Sequence, residues 1–189
     1  MVSWPALQQL ISVIDFHLLG KVCFACEIEG DQDVSTNNSC PHCHATFKMA
    51  PKFLGHVAAH ILYDTSIKKE DEPCGLCLLP APSCHIALKK CKNTFTANYA
   101  NSTCERLIKF LYAATSQPST SNPCGNVPVN CPQCPKGANM VWKYNITFHY
   151  LKKHSPSVPP MEFNISDFEL EGLRMVWNNC HAANQVETR

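Results

Sequence analysis

No stretch of this 189-residue chain stays apolar for the roughly 18 residues that a membrane-spanning helix requires. The nearest approach, SWPALQQLISVIDFHLLG, is interrupted by two glutamines, Asp15 and His17, so a transmembrane reading is excluded. That opening also lacks a basic leader and a small-residue cleavage motif. It does not read as a secretory signal, and an intracellular protein is expected. Glycine is scarce at seven residues, and no glycine-rich phosphate loop occurs. H-E-x-x-H, a nucleophile elbow, and H-x-E joined to P-C-x-x-C are missing too, which removes the usual signatures of zinc proteases, α/β-hydrolases and deaminases. Charge is low at 16%, but 45% of residues are hydrophobic, enough to bury a core in one or two domains and to exclude a fully disordered chain. There is no low-complexity tract.

The chain is rich in cysteine. It has thirteen, an odd number and, at about 7%, below the share that marks a disulfide scaffold. Eight of them form pairs with two residues between them: Cys23/Cys26, Cys40/Cys43, Cys74/Cys77 and Cys131/Cys134. In a reducing compartment such pairs bind zinc. The sequons at Asn37, Asn101, Asn145 and Asn164 carry no weight without a secretory leader.

The segment CPHCHATFKMAPKFLGHVAAH reads C-x2-C-x12-H-x3-H, with Cys40, Cys43, His56 and His60 as ligands. A tight turn faces both thiolates toward one point, and histidines four apart lie on one helix face and close a tetrahedron. Phe47 and Phe53 fill the two apolar positions that such a small unit needs. Cys23, Cys26, Cys40 and Cys43 also spell a four-cysteine ribbon, but that choice leaves His56, His60, Phe47 and Phe53 without roles. With the histidine set preferred, Cys23 and Cys26 turn to Cys180/His181 or His17, or are buried thiols. CPQCPKGANMVWKYNITFHYLKKH reads C-x2-C-x14-H-x4-H, giving Cys131, Cys134, His149 and His154 with Ile146 in the core position. The longer final spacing calls for a loosened last helical turn. Between them, Cys74 and Cys77 are completed by Cys84 and Cys104 around a hairpin of HIALKK and TFTANY, with Cys91 and His85 as alternative ligands. Cys91 and Cys124 are otherwise dispensable.

These modules define the expected organisation: an amphipathic helix over 1–22, a first finger with an acidic loop over 23–63, a four-cysteine module over 74–114, a linker over 115–130, a second finger over 131–155 and a C-terminal helix over 165–181. In the first helix Trp4, Leu7, Leu10, Ile11, Ile14 and Leu18 recur at spacings of three and four. In the last, Ser166 and Glu169 form a capping box ahead of a stripe of Phe168, Leu173, Val176, Trp177 and Cys180. The Pro/Ser-rich connections read as ordered loops or tethers. The fold class is therefore small α+β zinc-stabilised modules: two ββα-type fingers flanking a four-cysteine zinc hairpin.

Charge is unevenly placed. Residues 73–161 hold nine bases against one acid, Glu105, whereas both flanks are acidic. That asymmetry points to a polyanionic partner.

The two histidine-containing sites resemble the two-cysteine, two-histidine zinc-finger superfamily. The wider run from 40 to 154, HVAAHIL, then PCGLC, LKK, NVPV-CPQCP and VWKYN-H, resembles fungal multi-zinc-finger proteins of unassigned role. The resemblance implies three zinc ions and no activity. Four protein ligands at each site leave no open position, so enzymatic chemistry, a small-molecule substrate and a membrane role are not expected. Nucleic-acid binding in the nucleus with modest sequence specificity, in a transcription-related role, is the reading that the charge favours. Lys52, Lys89, Lys90, Lys92, Lys143, Lys152 and Lys153 are its candidate contacts, and Asn145 its candidate adenine reader. The alternative is a zinc-stabilised protein-interaction scaffold, which Met49, Trp142 and Phe148 at would-be base-reading positions suit.

Overall fold

The computed structural model describes residues 38–186 except 82, 92, 93 and 109, with side chains of the last helix described as far as Cys180. The expected helix over 1–22, Cys23, Cys26, most of the acidic loop and Lys92 lie outside the described residues. The chain divides into Met1–Gln32 and a compact unit, Asp33–Arg189, to which everything described here belongs.

Helix α1, Ala50–Tyr63, is the centre of that unit. It starts after an extended Met49 with Pro51 in its first turn, where a missing backbone N–H leaves nothing unpaired. Every residue from Phe53 to Ile61 is buried, so the helix is enclosed on all sides. Ahead of it an isolated bridge joins Ser39 to Thr46, the remnant of a hairpin. Strands β1, Leu88–Cys91, and β2, Thr94–Ala97, pair antiparallel with Leu88 opposite Ala97, inside the span expected for the hairpin of the four-cysteine module. A single turn, α2, Tyr112–Thr115, follows. Strands β3, Pro128–Val129, and β4, Val141–Trp142, form a second antiparallel pair that leads through a 3-10 turn into α3, Ile146–Lys153. Helix α4, Asp167–Val186, closes the chain.

The modules expected as separate units share one interior. Phe53, Leu54, Val57 and Ile61 of α1 pack in one hydrophobic cluster with Leu76, Ile86 and Ile108 of the four-cysteine segment, Trp142 and Tyr144 of the last module, and Leu173 of α4. A smaller cluster of Cys131, Val141, Ile146 and Tyr150 serves the last module alone. The connection over 115–130 belongs to the interior as well. Cys124, Asn126 and Val127 are buried, the Asn126 Oδ1 accepts from Tyr144 N at 3.1 Å, and Gly125 N donates to the Tyr144 hydroxyl at 3.0 Å. Gly75 is needed for this closeness, because a Cβ there would stand 2.5 Å from the Trp142 indole.

The capping box at the start of α4 forms as expected. Glu169 N donates to Ser166 Oγ at 3.2 Å, and the Glu169 carboxylate takes Ser166 N at 3.0 Å. The stripe behind it needs one correction: Phe168 is exposed, and the inward face is Glu169, Leu173, Val176, Trp177 and Cys180. Glu169 can be buried because Lys143 Nζ, at 3.1 Å, and the Tyr144 hydroxyl, at 3.0 Å, reach it from the last module.

Candidate metal centres

Three C-x-x-C turns supply the first two ligands of each group, and two of them have the same backbone. His44 N donates to Cys40 O and Leu78 N to Cys74 O, both at 3.0 Å, while Cys40 N and Cys74 N reach back to Ala45 O and Leu79 O. This loop needs a left-handed residue after the second cysteine, and His44 and Leu78 adopt φ of 62° and 59°. The third turn cannot copy it. Pro135 stands at that place without an N–H and with φ held negative, and the chain turns left-handed later, at Gly137 with φ 85°.

Helix spacing and chain return bring the remaining ligands in. Cys40, Cys43, His56 and His60 form one group, Cys74, Cys77, Cys84 and Cys104 a second, and Cys131, Cys134, His149 and His154 a third, each with its ligand atoms within 4.8 Å of one another. With Zn–S near 2.3 Å and Zn–N near 2.0 Å, tetrahedral edges run from about 3.3 Å between nitrogens to about 3.8 Å between sulfurs. The observed edges lie close to these. In the first group Cys43 Sγ is 3.1 Å from His56 Nε2, and the two Nε2 atoms are 3.2 Å apart. In the second, sulfur–sulfur distances are 3.4 Å for Cys77/Cys84 and 3.9 Å for Cys74/Cys104. In the third, Cys134 Sγ lies 3.3 Å from both His149 Nε2 and His154 Nε2, and Cys131 Sγ lies 3.4 Å from His154 Nε2. Helix α3 ends at Lys153, and His154 leaves it with φ −131° and ψ 13°, which is how the x4 spacing is accommodated. The donor sets suit zinc, and Cys/His groups of this kind are those of zinc-finger-like modules.

The four thiols of the second group interact with one another. Among the four buried sulfurs, hydrogen bonding to Cys104 holds the Cys74 thiol and the Cys84 thiol up, and the same partnership pulls Cys77 down. Four sulfurs this close cannot all ionise unless a positive charge sits among them.

A second layer of polar partners fixes the imidazoles, and most of it is illegible in the sequence. Once Nε2 faces a metal, the ring proton resides on Nδ1 and must be accepted. Asp64 Oδ2 lies 2.9 Å from His60 Nδ1, Glu72 Oε2 lies 3.0 Å from His149 Nδ1, and Cys180 Sγ lies 3.1 Å from His56 Nδ1. Asp64 follows His60 by one helical turn, a spacing that could have been read. Glu72 and Cys180 are 77 and 124 residues from their histidines and could not. Cys180, considered for Cys23 and Cys26, thus meets His56. Burial holds His149 below the ordinary histidine range, and Glu72 opposes that shift.

The remaining candidates fall elsewhere. His85 bonds Asn101 O and Thr103, and Cys91, at the end of β1, is disulfide-bonded and belongs to none of the three groups. Cys124 is fully buried, with its thiol pushed up to about 12 by desolvation. Two of the candidate nucleic-acid contacts have partners within the fold. Asn145 is 1% exposed and its Nδ2 donates to Pro73 O at 2.7 Å, so its amide faces the interior. Lys143 is neutralised by Glu169. Trp142 is buried as a core residue. Lys52 is exposed but donates to Ser121 O at 2.8 Å, and Lys152 donates to Glu70 O at 3.1 Å. Lys89, Lys90 and Lys153 are exposed. Among the described residues no helix is long and apolar enough to cross a membrane. Compared with protein-family models, with curated proteins and with solved structures, the chain matches none.

Proposed function

We propose that this chain is a non-catalytic interaction module built around three structural zinc ions, and that its partner is a protein. The first and third groups are read as ββα fingers, with the four-cysteine hairpin between them. Four protein donors per group support a structural role, since no position is left for water or substrate. One observation carries the choice of partner. Of the positions that a DNA-reading finger presents to base edges, Gly55, Trp142 and Asn145 are buried here and Phe148 is half-buried, which leaves Met49 and Lys52 exposed. Within the basic window Lys143 is paired with the Glu169 carboxylate, and Lys152 donates to the Glu70 backbone carbonyl. Large apolar side chains stay outside, among them Met161 at 86%, Leu151 at 68% and Met49 at 59% exposure. Met and aromatic side chains are enriched in protein interfaces.

The second reading, backbone contact with nucleic acid, is supported by the exposed Lys89, Lys90 and Lys153. One experiment separates the two. A photo-crosslinking residue replaces Met49 or Met161 in the full zinc-loaded chain in cells, and ultraviolet crosslinking to nucleic acid is run in parallel. Protein adducts that persist after nuclease treatment and vanish with a chelator are expected. Recovery of covalent nucleic acid instead, with log affinity falling by roughly 0.9 per phosphate per log salt and weakening on Lys89→Ala/Lys90→Ala, would establish the second reading.

A further inference from the structure

Beside the first group lies a cluster that its four ligands do not use. Asp64, just past the end of α1, turns one carboxylate oxygen toward two imidazoles: Oδ2 is 2.9 Å from His60 Nδ1 and 3.1 Å from His42 Nε2. Its other oxygen is held by Ser66, whose N and Oγ donate at 2.9 Å and 2.6 Å. Ser66 Oγ is also 3.4 Å from His42 Nε2. The His42 and His60 rings meet edge to face at 4.9 Å. His42, Asp64 and His60 together have the spacing of a metal-holding group. The His42 side chain is 39% exposed and that of Asp64 13%, so the cluster opens to solvent on one side.

We propose that His42 and Asp64 form a fourth, exchangeable site for a divalent cation of the zinc, nickel and copper class, placed beside the first structural ion and linked to it through His60. The donor chemistry selects the class. One imidazole and one carboxylate with open positions suit borderline first-row ions, whereas calcium and magnesium need more oxygen ligands. The separation fits, because nitrogen and oxygen bound at about 2.0 to 2.2 Å to one tetrahedral ion stand about 3.3 to 3.5 Å apart, close to the present value. The carboxylate is held in place for the task, because Ser66 N and Oγ both donate to Oδ1 and leave Oδ2 facing His42. A carboxylate oxygen has a second lone pair, so Oδ2 can accept from His60 Nδ1 and face a cation together. Water and the Ser66 hydroxyl complete the shell. Such a site binds and releases its ion without unfolding the chain, because the His42 side chain is 39% exposed and belongs to neither hydrophobic cluster. It reports metal supply above the level that fills the structural sites.

This inference rests on the first group holding its own metal through His60 Nε2, and the test separates the two. The full chain is loaded with zinc, dialysed, and titrated with further Zn2+ under native mass spectrometry. Three tightly held ions and a fourth that appears only with free Zn2+ are expected. In His42→Ala the three should remain and the fourth should weaken roughly tenfold or more, the scale on which groups bearing on a metal act. Heteronuclear NMR of the wild type should then show the fourth equivalent shifting the His42 ring and leaving the other groups in place. A count that stops at three in millimolar Zn2+, or a fourth ion indifferent to His42→Ala, overturns the proposal. A wild-type count below three overturns the structural-zinc reading and this site with it.

Discussion

At the residue scale the three candidate metal groups rest on side chains outside their own donor sets. His60 and His149 each lean on a carboxylate, and the direction of each ring is set by that bond. Glu72→Gln keeps the shape but offers His149 a weaker acceptor, and it is expected to lower affinity at the third group by roughly 10- to 100-fold. Competition against a chromophoric chelator reads this directly, and an unchanged affinity would show that Glu72 only fills space. The twelve ligands were legible because cysteine pairs and histidine spacings are local patterns governed by turn and helix geometry. Glu72 was not legible. It sits in a stretch that looks like a linker and adopts a left-handed conformation, φ 51°, that nothing nearby announces.

Among the elements, α4 shows how a correct boundary can coexist with a misplaced face. The box of Ser166 and Glu169 could be read because capping is a contact over three residues. The inward stripe was misjudged because Glu169, an acid expected in water, finds Lys143 and Tyr144 from a segment 25 and 26 residues away and is buried in preference to Phe168. Glu169→Ala keeps the Ser166 hydroxyl on the helix end but removes the reciprocal half of the capping box, and it strands Lys143, whose side chain is only 12% exposed. A loss of about 3 kcal/mol is expected, most of it the cost of an unpaired, mostly buried charge. Urea unfolding of the zinc-loaded protein measures it. Lys143→Met/Glu169→Met, which removes both charges, should recover much of that loss.

On the scale of the whole molecule, residues from all three ligand-bearing segments share one hydrophobic interior. Their fusion was not legible, since apolar residues such as Leu76, Ile86 and Trp142 advertise burial but not against which module. Because α1 packs against the four-cysteine segment and α4 in one interior, damage at the second group should reach the first. Cys104→Ser is expected to abolish amide dispersion throughout 38–186, histidine-bearing groups included, when examined by heteronuclear NMR with zinc present. Loss confined to residues near the hairpin would instead mean that the shared interior is not needed by each module. The common core also decides how the protein meets scarcity. Where centres are beads on a string, each molecule can hold one ion or two and be partly useful. Here a chain holding one ion gains little, since that ion must order an interior whose other walls are missing, so a limited supply divides the population into empty and complete molecules. Zinc would then set how many working copies a cell possesses and leave unchanged how well each copy works.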